Sequence, residues 1–288
     1  MNNVISPQEK HLDIGFKMNI REWTPQSTAT QTPFLLIHGL SSNARTWDGV
    51  ARELAQAGHH VIAIDQRGHG RSEKLPVTAG YDFDTITTDI VNLIKVLGWE
   101  KPLIAGQSWG GNVVLAFGAK HPGIAKGLIF VDGGFFDVKK RAPVWEEAYE
   151  MFKPPHLEGV PRVQMQERMR QFQPEWSDEG IEATLNNFET RPDGTIKPWL
   201  SLDRHMSIFR AMWEQDPPSL YPQVQEPVLI FPAGNAQEDE KRHMVQQAQS
   251  NIPDVTVHWF DHTAHDIHVH RPVQLAQRML NWQRDKNL

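Results

Sequence analysis

Apolar and polar positions follow two rhythms along this chain. From His11 to Trp23, the residues Leu12, Ile14, Phe16, Met18 and Ile20 are separated by mostly polar ones. That period of two predicts an antiparallel strand pair with one buried face. The later strand signals lose the alternation. Phe34-Leu35-Leu36-Ile37, His60 to Asp65, residues 101–106, Lys126 to Asp132 and Pro227 to Pro232 are short apolar runs, as expected for strands covered on both faces of a parallel sheet. Apolar residues at 83, 86, 90, 93, 94 and 97 predict a helix over Phe83 to Leu97, stopped by Gly98. Other helices are expected from Ala44 to Ala57, Asn112 to Ala119, Glu238 to Gln249 and Pro272 to Arg284, with a strand over Val255 to Phe260.

Strands alternating with helices at this spacing predict an α/β fold with a mostly parallel, doubly wound sheet. Residues 135–222 interrupt the pattern. They hold half of the 20 prolines and no buried-strand run. Helical fragments, Val160 to Phe172, Asp178 to Phe188 and Leu202 to Trp213, are set apart by proline-rich breaks. The expected organisation is a core of 1–134 and 223–288 carrying an inserted helical cap, 135–222.

Composition narrows the function. With 39% hydrophobic and 22% charged residues, the chain reads as an ordinary soluble globular protein. The net charge is 29 − 35 = −6, with no Lys/Arg cluster, so no nucleic-acid partner is expected. There are no cysteines, which removes disulfides and thiolate chemistry. The first residues lack a basic segment followed by an apolar one, and no run approaches membrane-spanning length, so a cytoplasmic protein without a membrane partner is expected.

The candidate chemistry centres on Gly106-Gln107-Ser108-Trp109-Gly110, where the strand from Pro102 to Ala105 turns into a helix. Such a turn exposes the Ser108 hydroxyl, and the backbone approaches so closely that side chains at 106 and 110 would clash. The helix that follows aims N–H groups and its positive end at charge developing there.

Three further motifs stand in order around it: His38-Gly39, Asp65-x-Arg67-Gly68-x-Gly70-x-Ser72, and His265 in the last strand-to-helix turn before Pro272. Together they resemble the α/β-hydrolase superfamily, specifically its capped members, over nearly the full chain. The resemblance implies Ser108 as nucleophile and His265 as general base, because a serine hydroxyl needs an imidazole to take its proton during attack. It implies the backbone N–H groups of Leu40 and Trp109 as oxyanion donors. Many relatives keep the third member, the acid, in the loop after the strand that follows the cap. That loop here reads Pro232 to Asp239, with Gln237 where an Asp would stand. Some capped members carry it one strand earlier, where Asp132 lies. Asp132 is preferred as the rigidly held strand-end carboxylate, with Asp239 or Glu238 as alternatives. Arg67 and Asp65 are expected to brace their loop, and Trp47 to pack in the core.

Eleven of the aromatic and methionine side chains from Phe135 to Trp213 are singled out as packing the cap, about a third of them expected to line an apolar pocket. Phe135, Phe136, Trp145 and Trp213 are the candidates. The implied activity is a cofactor-independent serine hydrolase acting on a small apolar ester or lactone. Dehalogenase and epoxide-hydrolase relatives need a carboxylate nucleophile, and position 108 is serine. Alternatives are carbon–carbon bond hydrolysis of ring-cleavage diketones, a ligand-binding protein with little turnover, and a metal-dependent hydrolase built on His262, His265, His268 and His270.

Overall fold

The computed structural model describes residues 5–25, 31–234 and 239–288. The alternating segment folds into β1 (Gln8–Asp13) and β2 (Lys17–Trp23), an antiparallel hairpin. The chain continues through β3 (Phe34–Ile37), α1 (Asp48–Gln56), β4 (Val61–Ile64), α2 (Phe83–Leu97), β5 (Leu103–Gln107), α3 (Trp109–Lys120) and β6 (Gly127–Val131). Asn43 caps a 3₁₀ turn at Ala44–Trp47 by accepting from the Arg45 N–H, so α1 begins four residues later than expected. The α2 bounds agree with the periodicity, and Gly98 closes the helix at φ 66°, a left-handed cap that favours glycine.

Six helices follow: α4 (Val138–Arg141), α5 (Trp145–Phe152), α6 (Arg162–Phe172), α7 (Asp178–Leu185), α8 (Leu202–Glu214) and α9 (Pro217–Leu220). Between α7 and α8 runs a small hairpin of β7 (Phe188–Thr190) and β8 (Ile196–Pro198). The apolar pattern does not predict this hairpin; Pro192-Asp193-Gly194 turns it, with Gly194 at φ 79°. The last elements are β9 (Val228–Phe231), β10 (Ala233–Gly234), α10 (Asp239–Asn251), β11 (Val255–Val257), β12 (Phe260–Asp261), α11 (Ile267–His270) and α12 (Pro272–Asp285). The strand expected over 255–260 is therefore two. β11 joins the main sheet beside β9, whereas β12 pairs with β10.

Eight strands form the main sheet in the order β1-β2-β4-β3-β5-β6-β9-β11. β1 and β2 are antiparallel to their neighbours, and every pair from β4 to β11 is parallel. The period of two sorts the buried strands onto two cores. Leu35, Ile37, Ile104, Leu128 and Phe130 face α2 and α3, while Phe34, Leu36, Leu103, Ala105 and Ile129 face α1 and α12. Both faces being covered is why these strands read as unbroken apolar runs. Among the described residues, no helix is long and apolar enough to cross a membrane.

Candidate active site

The carboxyl ends of β3, β5 and β6 open into a cavity of about 720 Å³, where ligands of open parallel sheets bind. Ser108, directly after β5, forms the N-cap of α3 at φ 54° and ψ −123°. A non-glycine residue there is strained by roughly 1–3 kcal/mol, so its surroundings must hold it. They do so by backbone: Ser108 donates its N–H to Val131 O at 3.0 Å and its carbonyl accepts from Gly111 at 2.8 Å. The flanking glycines are required by close approach, for a Cβ on Gly106 would lie 2.2 Å from Gly110 O, and one on Gly110 2.6 Å from His38 O.

His265 reaches the same cavity from the loop before α11. Its Nδ1 hydrogen-bonds to Asp132 Oδ2 at 2.6 Å. Asp132 is fully buried after β6, and its Oδ1 accepts from the Ala233 N–H at 3.0 Å. The His265 side chain is 45% exposed; partial desolvation lowers its pKa, but the hydrogen bond and charge of Asp132 outweigh it, with Asp266 adding and Lys241 opposing, so the net shift is upward. With Nδ1–H donated to the carboxylate, Nε2 is left to accept a proton.

Leu40 and Trp109 both border the cavity, and no group among the described residues accepts a hydrogen bond from either backbone N–H. The Trp109 indole is buried and stacked on His69 at 5.6 Å. Asp65 accepts from the Ala44 and Arg71 N–H groups at 2.7 and 2.8 Å, and Arg67 is paired with Asp89 at 2.6 and 2.7 Å, both away from the cavity. Trp47 is fully buried in the core.

Of the four aromatic residues expected to line the pocket, only Phe136 does. Phe135 is buried behind it, rings 4.9 Å apart. Trp145 and Trp213 pack on each other at 5.6 Å, and the Trp213 indole N–H is spent on Ala142 O. The apolar wall instead comes from Phe152, Phe209 and Met212, with Val138 and Met244. Large indoles bury more area as packing between α5 and α8 than as cavity wall, which is why size is a poor guide to the lining.

The structure also disperses the histidine cluster. His268 is buried against Trp47, His270 bonds Glu175 at 2.8 Å, and His262 lies exposed on a turn. Among the described residues, no three His, Cys, Asp or Glu side chains are arranged to hold a metal ion. Asp239, the alternative acid, opens α10 on the cavity wall, where it is exposed, while Glu238 lies outside the described residues.

The polar part of the wall includes three residues that the sequence motifs do not single out, Ser41, His205 and Lys241, beside Asp137, Arg141 and Glu240. His205 of α8 bonds Ser41 Oγ through Nδ1 at 2.8 Å, and burial lowers its pKa to about 4. Lys241 of α10 reaches Asp132. No motif marks them; the tertiary fold decides which polar residue of a helix turns inward.

The chain belongs to the alpha/beta hydrolase family, whose model matches residues 34–278. Among curated proteins it is similar to Epoxide hydrolase B of Mycobacterium tuberculosis, 34% identical over 101 residues that make up 35% of this chain and 28% of that one. It is also similar to a putative non-heme haloperoxidase of Mycobacterium phage D29, 30% identical over 41% of this chain and 40% of that protein. The matched stretches thus span well under half of these relatives. Among solved structures, E-2-(acetamidomethylene)succinate hydrolase superposes with a TM-score of 0.78 at 21% identity, over 96% of this chain and 98% of that one. At that identity the match speaks for the fold.

Proposed function

We propose that this protein is a cofactor-independent serine hydrolase of carboxylic esters or lactones. Ser108 is the nucleophile, His265 the general base and Asp132 the acid. The observation that carries the reading is the 2.6 Å bond from His265 Nδ1 to Asp132, made by an imidazole that shares its cavity with Ser108. In the first half-reaction Ser108 Oγ attacks the acyl carbon and its proton passes to His265 Nε2. The Leu40 and Trp109 N–H groups stabilise the oxyanion, and the positive end of α3 adds to them. Collapse expels the alcohol, which takes the proton from His265, and leaves an acyl-Ser108 ester. Water then repeats the sequence: His265 takes its proton, hydroxide adds to the acyl carbon, and Ser108 leaves with the proton returned.

The wall of Phe136, Phe152, Phe209 and Met212 supports an acyl or alcohol part that is largely apolar. The names of the relatives cover several reactions, and the serine at 108 is what favours an acyl-enzyme over a carboxylate-nucleophile route. The residue range 135–222 acts in this reading as a cap over the strand ends.

A fluorophosphonate probe tests the proposal. Labelling at Ser108 in the wild type is expected, with Ser108→Ala losing both labelling and p-nitrophenyl ester turnover by at least about 10⁴-fold. Turnover that survives Ser108→Ala and disappears with EDTA would overturn it.

A further inference from the structure

Asp132 is held by more than the imidazole. Its Oδ2 accepts from His265 Nδ1 at 2.6 Å and also lies 3.2 Å from Lys241 Nζ. Lys241 donates as well to Ala233 O at 2.7 Å, and Ala233 in turn gives its N–H to Asp132 Oδ1 at 3.0 Å. The carboxylate is thus held on both oxygens, on one by Ala233 of β10 and on the other by His265 together with Lys241 of the first turn of α10. Lys241 is half-buried and borders the cavity.

We propose that Lys241 is a positioning residue, which fixes the Asp132 carboxylate for His265 and tempers its pull on the imidazole proton. This rests on the assignment of Ser108, His265 and Asp132 above. The physical basis is the sharing of one oxygen. A carboxylate bonded to an imidazole stabilises the imidazolium, and taken alone it would shift the base further toward its protonated, inactive form. An ammonium on the same oxygen draws off part of that field and repels the imidazolium directly, so the base is freed at lower pH. The groups facing His265 agree with this in sign. Asp132 after β6 and Asp266 from its own loop favour its charged form, while Lys241 from α10 and partial desolvation disfavour it. Asp239 and Glu240, from the exposed first turn of α10, Asp137 and Arg141, from the start and end of α4, and His205 across the cavity are the other charged and titratable groups on the cavity wall. The buried His268 and His38 lie behind the loop.

The segment that supplies Lys241 is the one in which many relatives carry the acid itself. Here the acid stands on β6, and that segment supplies a cation which grips it.

The test compares Lys241→Met, Lys241→Gln and Lys241→Arg with the wild type by two measurements. Imidazole ¹⁵N NMR reads His265 protonation directly, its signal identified by its loss in His265→Ala. The pH dependence of fluorophosphonate labelling reads the same proton through Ser108. Removal of the charge is expected to raise the His265 midpoint by about one pH unit, to move the acid limb of labelling upward with it, and to leave the alkaline plateau less affected. Lys241→Arg is expected to restore the wild-type midpoint. Gln is the second neutral variant should Met not fold. A midpoint unmoved in the neutral variants overturns the proposal, as does a lowered plateau with an unmoved limb, which would make Lys241 merely structural. Failure of the wild type to be labelled at Ser108 would instead overturn the serine mechanism, and the NMR titration would still report the coupling between Lys241 and His265.

Discussion

Asp132 adopts φ 42°, a left-handed conformation that Asp and Asn tolerate better than other residues with side chains. Asparagine is therefore the substitution that removes the charge without adding backbone strain. In the proposed mechanism Asp132→Asn is expected to lower kcat by about 10⁴-fold, because the amide can no longer stabilise the imidazolium and presents the wrong hydrogen-bonding partner. Asp239→Asn, on the exposed first turn of α10, is expected to stay within a few-fold of wild type. Steady-state ester hydrolysis with both variants decides between the two carboxylates, and equal losses would reject Asp132 as the acid. At this scale much is legible in the amino-acid sequence. Gly106, Ser108 and Gly110 announce a turn by sterics, and the Cβ clashes match the expectation for both glycines. Lys241 is not legible, because its neighbours Asp239, Glu240 and Arg242 are as polar as it is. Only the path of the chain after β9 selects the one that meets Asp132.

The elements whose apolar pattern is most telling are those whose burial is regular. β3, buried at every position, and α2, buried along one face, agree with their sequence signals to the residue. Departures fall where local chemistry overrides a coarse period: the Asn43 cap that delays α1, the Pro-Asp-Gly turn that makes a hairpin, and the split of β11 from β12. Asn43 also joins two elements far apart in sequence. Its Nδ2 donates to Ala183 O at 2.9 Å at the end of α7 and to Asn187 Oδ1 at 2.6 Å, while its Oδ1 caps the 3₁₀ turn before α1. Asn43→Ala forfeits a cap and a buried bridge together, for an expected loss of about 2–3 kcal/mol. Urea denaturation measures it, and a loss below about 0.5 kcal/mol would mean that this link is not a fastening between α1 and α7.

Across the whole molecule, burial keeps a set of histidines neutral. The His38 pKa is lowered and that of His69 lies well below the ordinary value, while His205 is pushed to about 4 and His268 to about 3. Both ring nitrogens of His268 lack a hydrogen-bond partner among the described residues. Each of these groups binds its proton more readily in the unfolded chain, so its contribution is complete above about pH 6.5 and is lost as the pH falls toward the folded-state value. Every such histidine costs about 1.4 kcal/mol per pH unit within its window. His265 has the opposite sign, being raised, and so do Asp48, Asp89 and Asp266, whose pKa values burial raises. The net expectation is a fall in the urea midpoint as the pH drops below about 6.5, opposed by His265 and by those three carboxylates. His268→Leu should flatten that fall by close to one proton's worth. A midpoint constant from about pH 8 to 5 would contradict it.

The bond from His265 to Asp132 spans 133 residues of sequence, whereas Ser108 and Asp132 are neighbours across β5 and β6. Time therefore enters. A chain emerging from the ribosome lays down the central strands, the serine turn and the buried carboxylate first, and contacts of such long separation form late. In the proposed mechanism, a copy interrupted anywhere between residues 132 and 265 has the serine without the base that would activate it. On that reading, competence waits until residue 265 has joined the fold.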